Sequence, residues 1–217
     1  MKHDSAVAIL LLAFCTFLLS CGGPETPSVR YSFDFSTGAQ GWIGGSAEYP
    51  VDYEPNMDIH TEIRNLPYPL DQKRTAYYLG GWNFSDDLYV YVKKHITDLK
   101  PNRSYQLTFT VTFATQDGEV GVAMGIQTGA TRTEPNRIVV QRNDQAYYVM
   151  NVDKGVSIGN STKSTPGWQL KTLRSASPLT MQTDSSGSIW LLVGADSNWE
   201  SLSRIYITNI EVQAREN

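Results

Sequence analysis

Apolar and polar residues alternate most clearly between Leu88 and Ala114. Leu88, Val90, Val92 and Ile96 fall on even positions with Tyr89, Tyr91 and Lys93 between them, and a turn-forming Asp98-Leu99-Lys100-Pro101-Asn102 follows. Tyr105, Leu107, Phe109, Val111 and Phe113 then alternate with Gln106, Thr108, Thr110 and Thr112. A period of two on both sides of a turn, rich in β-branched and aromatic residues, predicts a central hairpin of two long antiparallel strands whose apolar faces line a core.

The same period recurs along the chain. Tyr31, Phe33 and Phe35 mark a first strand, and Met57, Ile59 and Ile63 a second that Pro67 and Pro69 stop, because proline cannot donate to a ladder. Shorter strands are predicted over Thr75 to Leu79, Val120 to Ile126, Ile138 to Gln141, Tyr147 to Val152, Trp168 to Leu173 and Leu179 to Gln182. Ile189 to Val193 is continuously apolar, as a strand covered on both faces would be. Ile205 and Ile207 are out of phase with Ile210 and Val212, which predicts a bulge near Thr208-Asn209. Asp153 to Gly167 reads as a long polar loop, functional or mobile. No helical period persists beyond a turn or two, so the expected fold class is all-β, a single jelly-roll β-sandwich over residues 30–217.

The first 29 residues follow other rules. A basic Met1-Lys2-His3 start precedes 14 almost wholly apolar residues, Ala6 to Leu19, too few for a membrane span and right for a signal peptide over residues 1–20. Leu18-Leu19-Ser20-Cys21 resembles the lipobox of bacterial lipoproteins, in which the signal is cut before the cysteine, the thiol is diacylated and the new amino terminus is acylated. The resemblance implies lipidation, such as palmitate, on Cys21, with residues 21–29 as a flexible tether of glycine, proline and small polar residues. Several tens of methylenes at about 0.8 kcal/mol each would then hold the protein to a bilayer without spanning it. Cys15 leaves with the signal, so no internal disulfide is available and stability must come from burial. The formal charge of -4 argues against nucleic acid and against electrostatic adhesion to anionic lipid. Gly22-Gly23 contains no obvious inner-membrane retention signal, which by resemblance to known sorting rules favours the outer membrane and leaves the side of that membrane open.

Phe33-Asp34-Phe35 through Gly41-Trp42, the phrase Leu99-Lys100-Pro101-Asn102-Arg103-Ser104-Tyr105, and the closing Ile207-Thr208-Asn209-Ile210-Glu211-Val212 resemble the galactose-binding-like jelly rolls, which include many carbohydrate-binding modules. Asp86-Asp87-Leu88-Tyr89 and the run from Thr183 to Ser197 are similar to a family of uncharacterised bacterial secreted proteins and lipoproteins. The resemblance implies fold and compartment but no established activity. It also implies a possible structural calcium near the chain ends, for which Asp34 and Glu211 are the candidates. No dense Asp/Asn/Gly ligand loop accompanies them, although the ion takes six to eight oxygens.

Sugars present flat apolar faces edged with hydroxyls, so a sugar site needs an exposed ring beside carboxylates or amides. Trp82 follows two glycines with Tyr78 and Asp86 nearby, and Trp199 lies between Asp196 and Glu200. Either tryptophan serves as such a platform or plugs the open end of the sandwich. Trp42, Trp168 and Trp190 are expected in the core. His60 and His95 fall at solvated positions and no cysteine remains beyond the anchor, which gives poor support to a zinc cluster or a histidine-dependent nucleophile. A paired-carboxylate hydrolase would draw on Asp86, Asp87, Asp196 and Glu200, two of which would have to face each other about 5 to 9 Å apart. There is no phosphate-cradling glycine motif. The expected function is a non-catalytic cell-envelope lipoprotein binding an extracellular or periplasmic ligand, foremost a carbohydrate. The alternatives are an envelope assembly component with protein partners and a carbohydrate-active hydrolase.

Overall fold

The computed structural model describes residues 27–116 and 123–217, so the signal segment, Cys21 and most of the tether lie outside the described residues, as does the start of the strand expected from Val120. In chain order the strands are β1 (Ser28–Asp34), β2 (Ile43–Ala47), β3 (Tyr49–Pro50), β4 (His60–Asn65), β5 (Thr75–Trp82), β6 (Leu88–Ile96), β7 (Ser104–Thr115) and β8 (Gly125–Thr131). They continue as β9 (Arg137–Arg142), β10 (Gln145–Met150), β11 (Val156–Asn160), β12 (Gln169–Arg174), β13 (Leu179–Gln182), β14 (Ile189–Ser197) and β15 (Leu202–Glu216). Among the described residues no helix is long and apolar enough to cross a membrane.

Two antiparallel sheets face each other as a jelly-roll β-sandwich. The larger runs β12-β7-β15-β5-β4, with β1 paired to the far half of β15 and β13 to β7; the other runs β11-β8-β14-β6-β2. Leu107, Phe109, Val111 and Phe113 of β7, with Ile205, Ile207, Ile210 and Val212 of β15, meet Val90 and Val92 of β6, and Leu191 and Val193 of β14, in one buried core. The bulge in β15 is where the phase of its isoleucines demands it. The register with β7 shifts between Ile207 and Asn209, and the displaced Thr208 hydroxyl donates to the Thr112 carbonyl at 3.0 Å.

Three expectations need correction. β6 and β7 are not partners in a hairpin: the 97–103 turn carries the chain from one sheet to the other. Alternation places an apolar face against a core but does not distinguish a ladder partner from a strand on the opposite wall. The first strand begins at Ser28 rather than near Arg30, because Ser28 and Val29 already pair with Arg215 and Ala214. The supposed loop of residues 153–167 contains β11, which pairs with β8.

A third, small sheet, β3-β10-β9, folds over the outer face of the β6–β14 sheet. Tyr89, Tyr91 and Leu192 on that face are buried, and Met150 packs on them. Gly194 lies under the Tyr89 ring and Gly45 under that of Tyr91, so neither position has room for a side chain and both rings lie close to the backbone. The tyrosines expected on a polar face are therefore a second, smaller core.

Candidate functional site

Four of the exposed aromatic residues, Tyr53, Trp82, Phe84 and Trp199, gather at one pole of the sandwich, whereas Tyr68, 79% exposed, lies in the β4–β5 connection at the other end of β5. Trp82 ends β5 and is 42% exposed, Phe84 follows two residues later at 44%, and their rings are near-parallel (11°) with centroids 6.2 Å apart. Phe84 lines a cleft of about 300 Å³ together with Tyr53 and Asn56, which lie on the short 3-10 turn Val51–Asn56. Trp199, 52% exposed, is on the β14–β15 connection.

Backbone and buried amide bonds tie these segments together. The Trp82 N–H donates to the Met57 carbonyl at 2.6 Å, and the Asn83 N–H to the Ser201 carbonyl at 2.9 Å. Asn83 is fully buried: its Nδ2 donates to the Ser197 carbonyl at 2.9 Å, and its Oδ1 accepts from the Ser85 N–H at 3.0 Å. Buried amides are costly unless paired, and here the pairing fixes the loop bearing Trp82 and Phe84 against the loop bearing Trp199. Met57, fully buried in the core beside Gly81, occupies the interior at this pole and leaves the tryptophan rings outside.

The residues singled out in the sequence do not all converge. Trp82, Asp86, Trp199 and Glu200 are exposed on the aromatic pole or in its connections. Tyr78 shares a strand face with Trp82 but is only 5% exposed, packed on Tyr206 with centroids 5.0 Å apart and covered by the Arg64 guanidinium at 4.1 Å. Asp196 lies on the outer face of the other sheet, where it accepts from Gln127 Nε2 at 2.7 Å and Lys154 Nζ at 2.9 Å. Tyr53, Asn56 and Phe84 were missed in the sequence. Spacing of two from Trp82 was a signal for Phe84, and Tyr53 lies between Pro50 and Pro55 in a segment with no alternation to bury it. Of the other tryptophans, Trp42 is buried as expected. Trp168 and Trp190 instead pack on outer faces, Trp168 edge-on to Tyr206 and Trp190 stacked on His95 at 4.7 Å.

Asp87 and Asp196 are electrostatically coupled beneath the 151–155 connection. Burial pushes the Asp87 carboxyl up to about 6; Asp196 and Glu48 add to the rise, while Lys154 and Arg142 oppose it. Burial alone would depress the Lys154 ammonium, but the Asp196 carboxylate carries it above its ordinary value. With Lys154 bound to Asp196 and lying 5.3 Å from the centroid of the fully buried Tyr89 ring, this carboxylate pair faces the covering segment rather than an open cleft. The pair therefore lends no support to a hydrolase.

The raised Asp87 value has a stability consequence. The folded carboxyl titrates near 6 and the unfolded one near 3.8, so the fold tolerates Asp87 best below pH 3.8 and loses that contribution as pH rises through 6. Asp87→Asn is expected to raise stability to urea by about 1 kcal/mol at pH 8, allowing for solvent screening of a half-buried group, and by almost nothing at pH 3.5. Urea titrations of both proteins at the two pH values check this; equal midpoints at pH 8 contradict it.

Asp34 and Glu211, the candidate calcium ligands, lie among cations of the protein itself. Asp34 Oδ1 accepts from the Ser36 N–H at 3.0 Å and from Arg74 Nη2 at 3.1 Å, contacts that hold its carboxyl below the usual range. Glu211 shares a polar depression with Arg30 and Arg174, and no group of three or more acidic, histidine or cysteine side chains converges on a metal position among the described residues.

A second concavity of about 570 Å³ lies along the β2 edge and is lined in part by Tyr91, Lys93, Asn136 and Arg137. Its cations are already paired, Lys93 Nζ with Glu134 Oε1 at 2.7 Å and Arg137 with Glu54.

These features define a class of architecture, a β-sandwich with a solvent-facing aromatic pole. No protein-family model matches the chain, and no curated protein matches it. Among solved structures, a carbohydrate-binding module that recognises mannan is 13% identical over 88% of this chain and 99% of its own, with a TM-score of 0.41. A xylan-binding domain from Paenibacillus barcinonensis is 11% identical over 86% and 92%, with a TM-score of 0.41. The K3 cleaved adhesin domain of Lys-gingipain from Porphyromonas gingivalis is 11% identical over 86% and 99%, with a TM-score of 0.42. Likenesses this distant carry no residue correspondence, so the site rests on its own geometry.

Proposed function

We propose that this protein is a carbohydrate-binding lipoprotein of the bacterial cell envelope, anchored through Cys21 and binding its glycan without turning it over. The observation that carries the binding reading is the pair of near-parallel, half-exposed rings of Trp82 and Phe84 beside the cleft of Tyr53 and Asn56. Two large rings left in water at neighbouring positions cost hydration free energy that burial would recover, and a clustered apolar surface of this kind marks a binding site. The apolar face of a pyranose covers such a ring while its hydroxyls remain free to bond the Asn56 amide and water.

Trp82→Ala is expected to weaken glycan binding at least about tenfold while leaving the fold intact, since the ring lies outside the core. A glycan array followed by calorimetry on the best ligand checks it, with circular dichroism as the folding control. Absence of binding by the wild type to every glycan class, or an unchanged affinity in the variant, overturns the reading.

A further inference from the structure

The aromatic pole also has a charge. Its three segments, residues 51–59, 82–87 and 195–203, hold seven carboxylates and no lysine or arginine. Glu54 is paired with Arg137 and Asp196 with Lys154. Asp87 is half-buried, and Asp52 lines a separate cleft with Arg142 and Asp144. That leaves Asp58, Asp86 and Glu200 exposed, each within four residues of an exposed ring or of the Met57 carbonyl that holds Trp82. His60 is the counter-charge beside them, with Nε2 2.9 Å from Asp58 Oδ1.

The rings and the carboxylates favour the same ligand. The faces of Trp82 and Phe84 attract a cation through their quadrupoles, and the exposed carboxylates on the segments bonded together at this pole add a negative potential that reaches about 10 Å at 0.1 M salt. We infer that the platform takes glycans bearing a free amine in preference to neutral ones and excludes uronates and other polyanionic glycans. This rests on the carbohydrate-binding reading of the same site and adds its charge selectivity.

The test uses β-1,4-linked hexamers that differ mainly at one ring substituent: glucose, glucosamine, N-acetylglucosamine and glucuronate units. Each is titrated into wild type, Trp82→Ala and Asp86→Asn/Glu200→Gln. At 20 mM salt and pH 6 the glucosamine hexamer is expected to bind about tenfold tighter than the glucose hexamer, with no binding of the glucuronate hexamer. The margin should fall below about threefold at 1 M salt, where the Debye length is near 3 Å, and should shrink similarly in the Asp86/Glu200 double variant. Equal affinity for the amine-bearing and neutral hexamers, or measurable glucuronate binding, overturns the selectivity and leaves the platform standing. A preference for glucosamine that survives Trp82→Ala also overturns it, because the attraction then belongs to the protein's general charge. If no hexamer binds and the glycan array is also blank, the carbohydrate-binding reading itself fails.

Discussion

Gly155→Ala is expected to lower stability by about 3 kcal/mol or more. Gly155 has φ +96°, in the left-handed region that favours glycine, and lies against β8 where Val156 begins to pair with Thr128. A Cβ there would sit 2.6 Å from Gly129 Cα and from the Thr128 carbonyl carbon, and nearer still to the Thr128 oxygen. Those atoms are backbone in a strand held on both sides, by β11 and by β14, so they cannot yield without breaking a ladder. Left-handed strain of about 1–3 kcal/mol and overpacking of about 1–3 kcal/mol then act together. Gly167→Ala is the control: its φ is also positive, at +86°, but nothing lies within 4 Å, so only the strain applies. Urea unfolding of both variants separates crowding from backbone conformation. Equal losses would show that the close approach to β8 has no energetic weight.

Phe109→Ala is expected to cost about 4 kcal/mol. Phe109 is fully buried in the middle of β7, between β15 on one side and β12 and β13 on the other, and faces the strands of the opposite sheet. Removing a buried phenyl ring loses its transfer free energy and leaves a cavity that a framework laddered on both edges cannot close. For a domain of this size the loss corresponds to a fall of roughly 8–16 °C in Tm. Scanning calorimetry checks it; a fall under 3 °C would mean that the sheets collapse onto the space. This variant leaves the aromatic pole untouched, so glycan affinity below the new Tm should not change.

Much of the sandwich was legible because burial on one face imposes a period of two. The strands from Tyr105 to Phe113 and from Ile205 to Val212 were readable residue by residue, including the bulge at Thr208, where an extra residue is the simplest way for isoleucines out of phase to reach one core. What alternation cannot encode is which wall a strand joins, hence the mistaken hairpin between β6 and β7. β11 was hidden because Val156-Ser157-Ile158-Gly159-Asn160 is short, polar and an edge strand covered by little. Tyr89 and Tyr91 were placed on a polar face because the cover that buries them, the small sheet with Met150, is contributed from about 60 residues further along the chain.

The candidate site was legible in part. Trp82 and Trp199 stood out because no alternation accounted for them. Tyr78 shares its strand face with Trp82 but is covered by Tyr206 and Arg64, and Asp196 belongs to the other sheet, where Gln127 and Lys154 hold it; neither the cover nor the sheet is written in the spacing.

β15 is 15 residues long, and the side of it turned away from β7 is shared by two strands, β5 first and then β1. Leu202, near its start, is opposite Trp82, and Arg215, near its end, is opposite Ser28. At about 3.4 Å per residue those two rungs are roughly 44 Å apart. The polypeptide therefore enters the domain at the pole far from Trp82 and Trp199. An acyl anchor upstream of Ser28, as proposed, would thus join the domain at the end away from Trp82, so tethering and ligand capture would not compete for one surface.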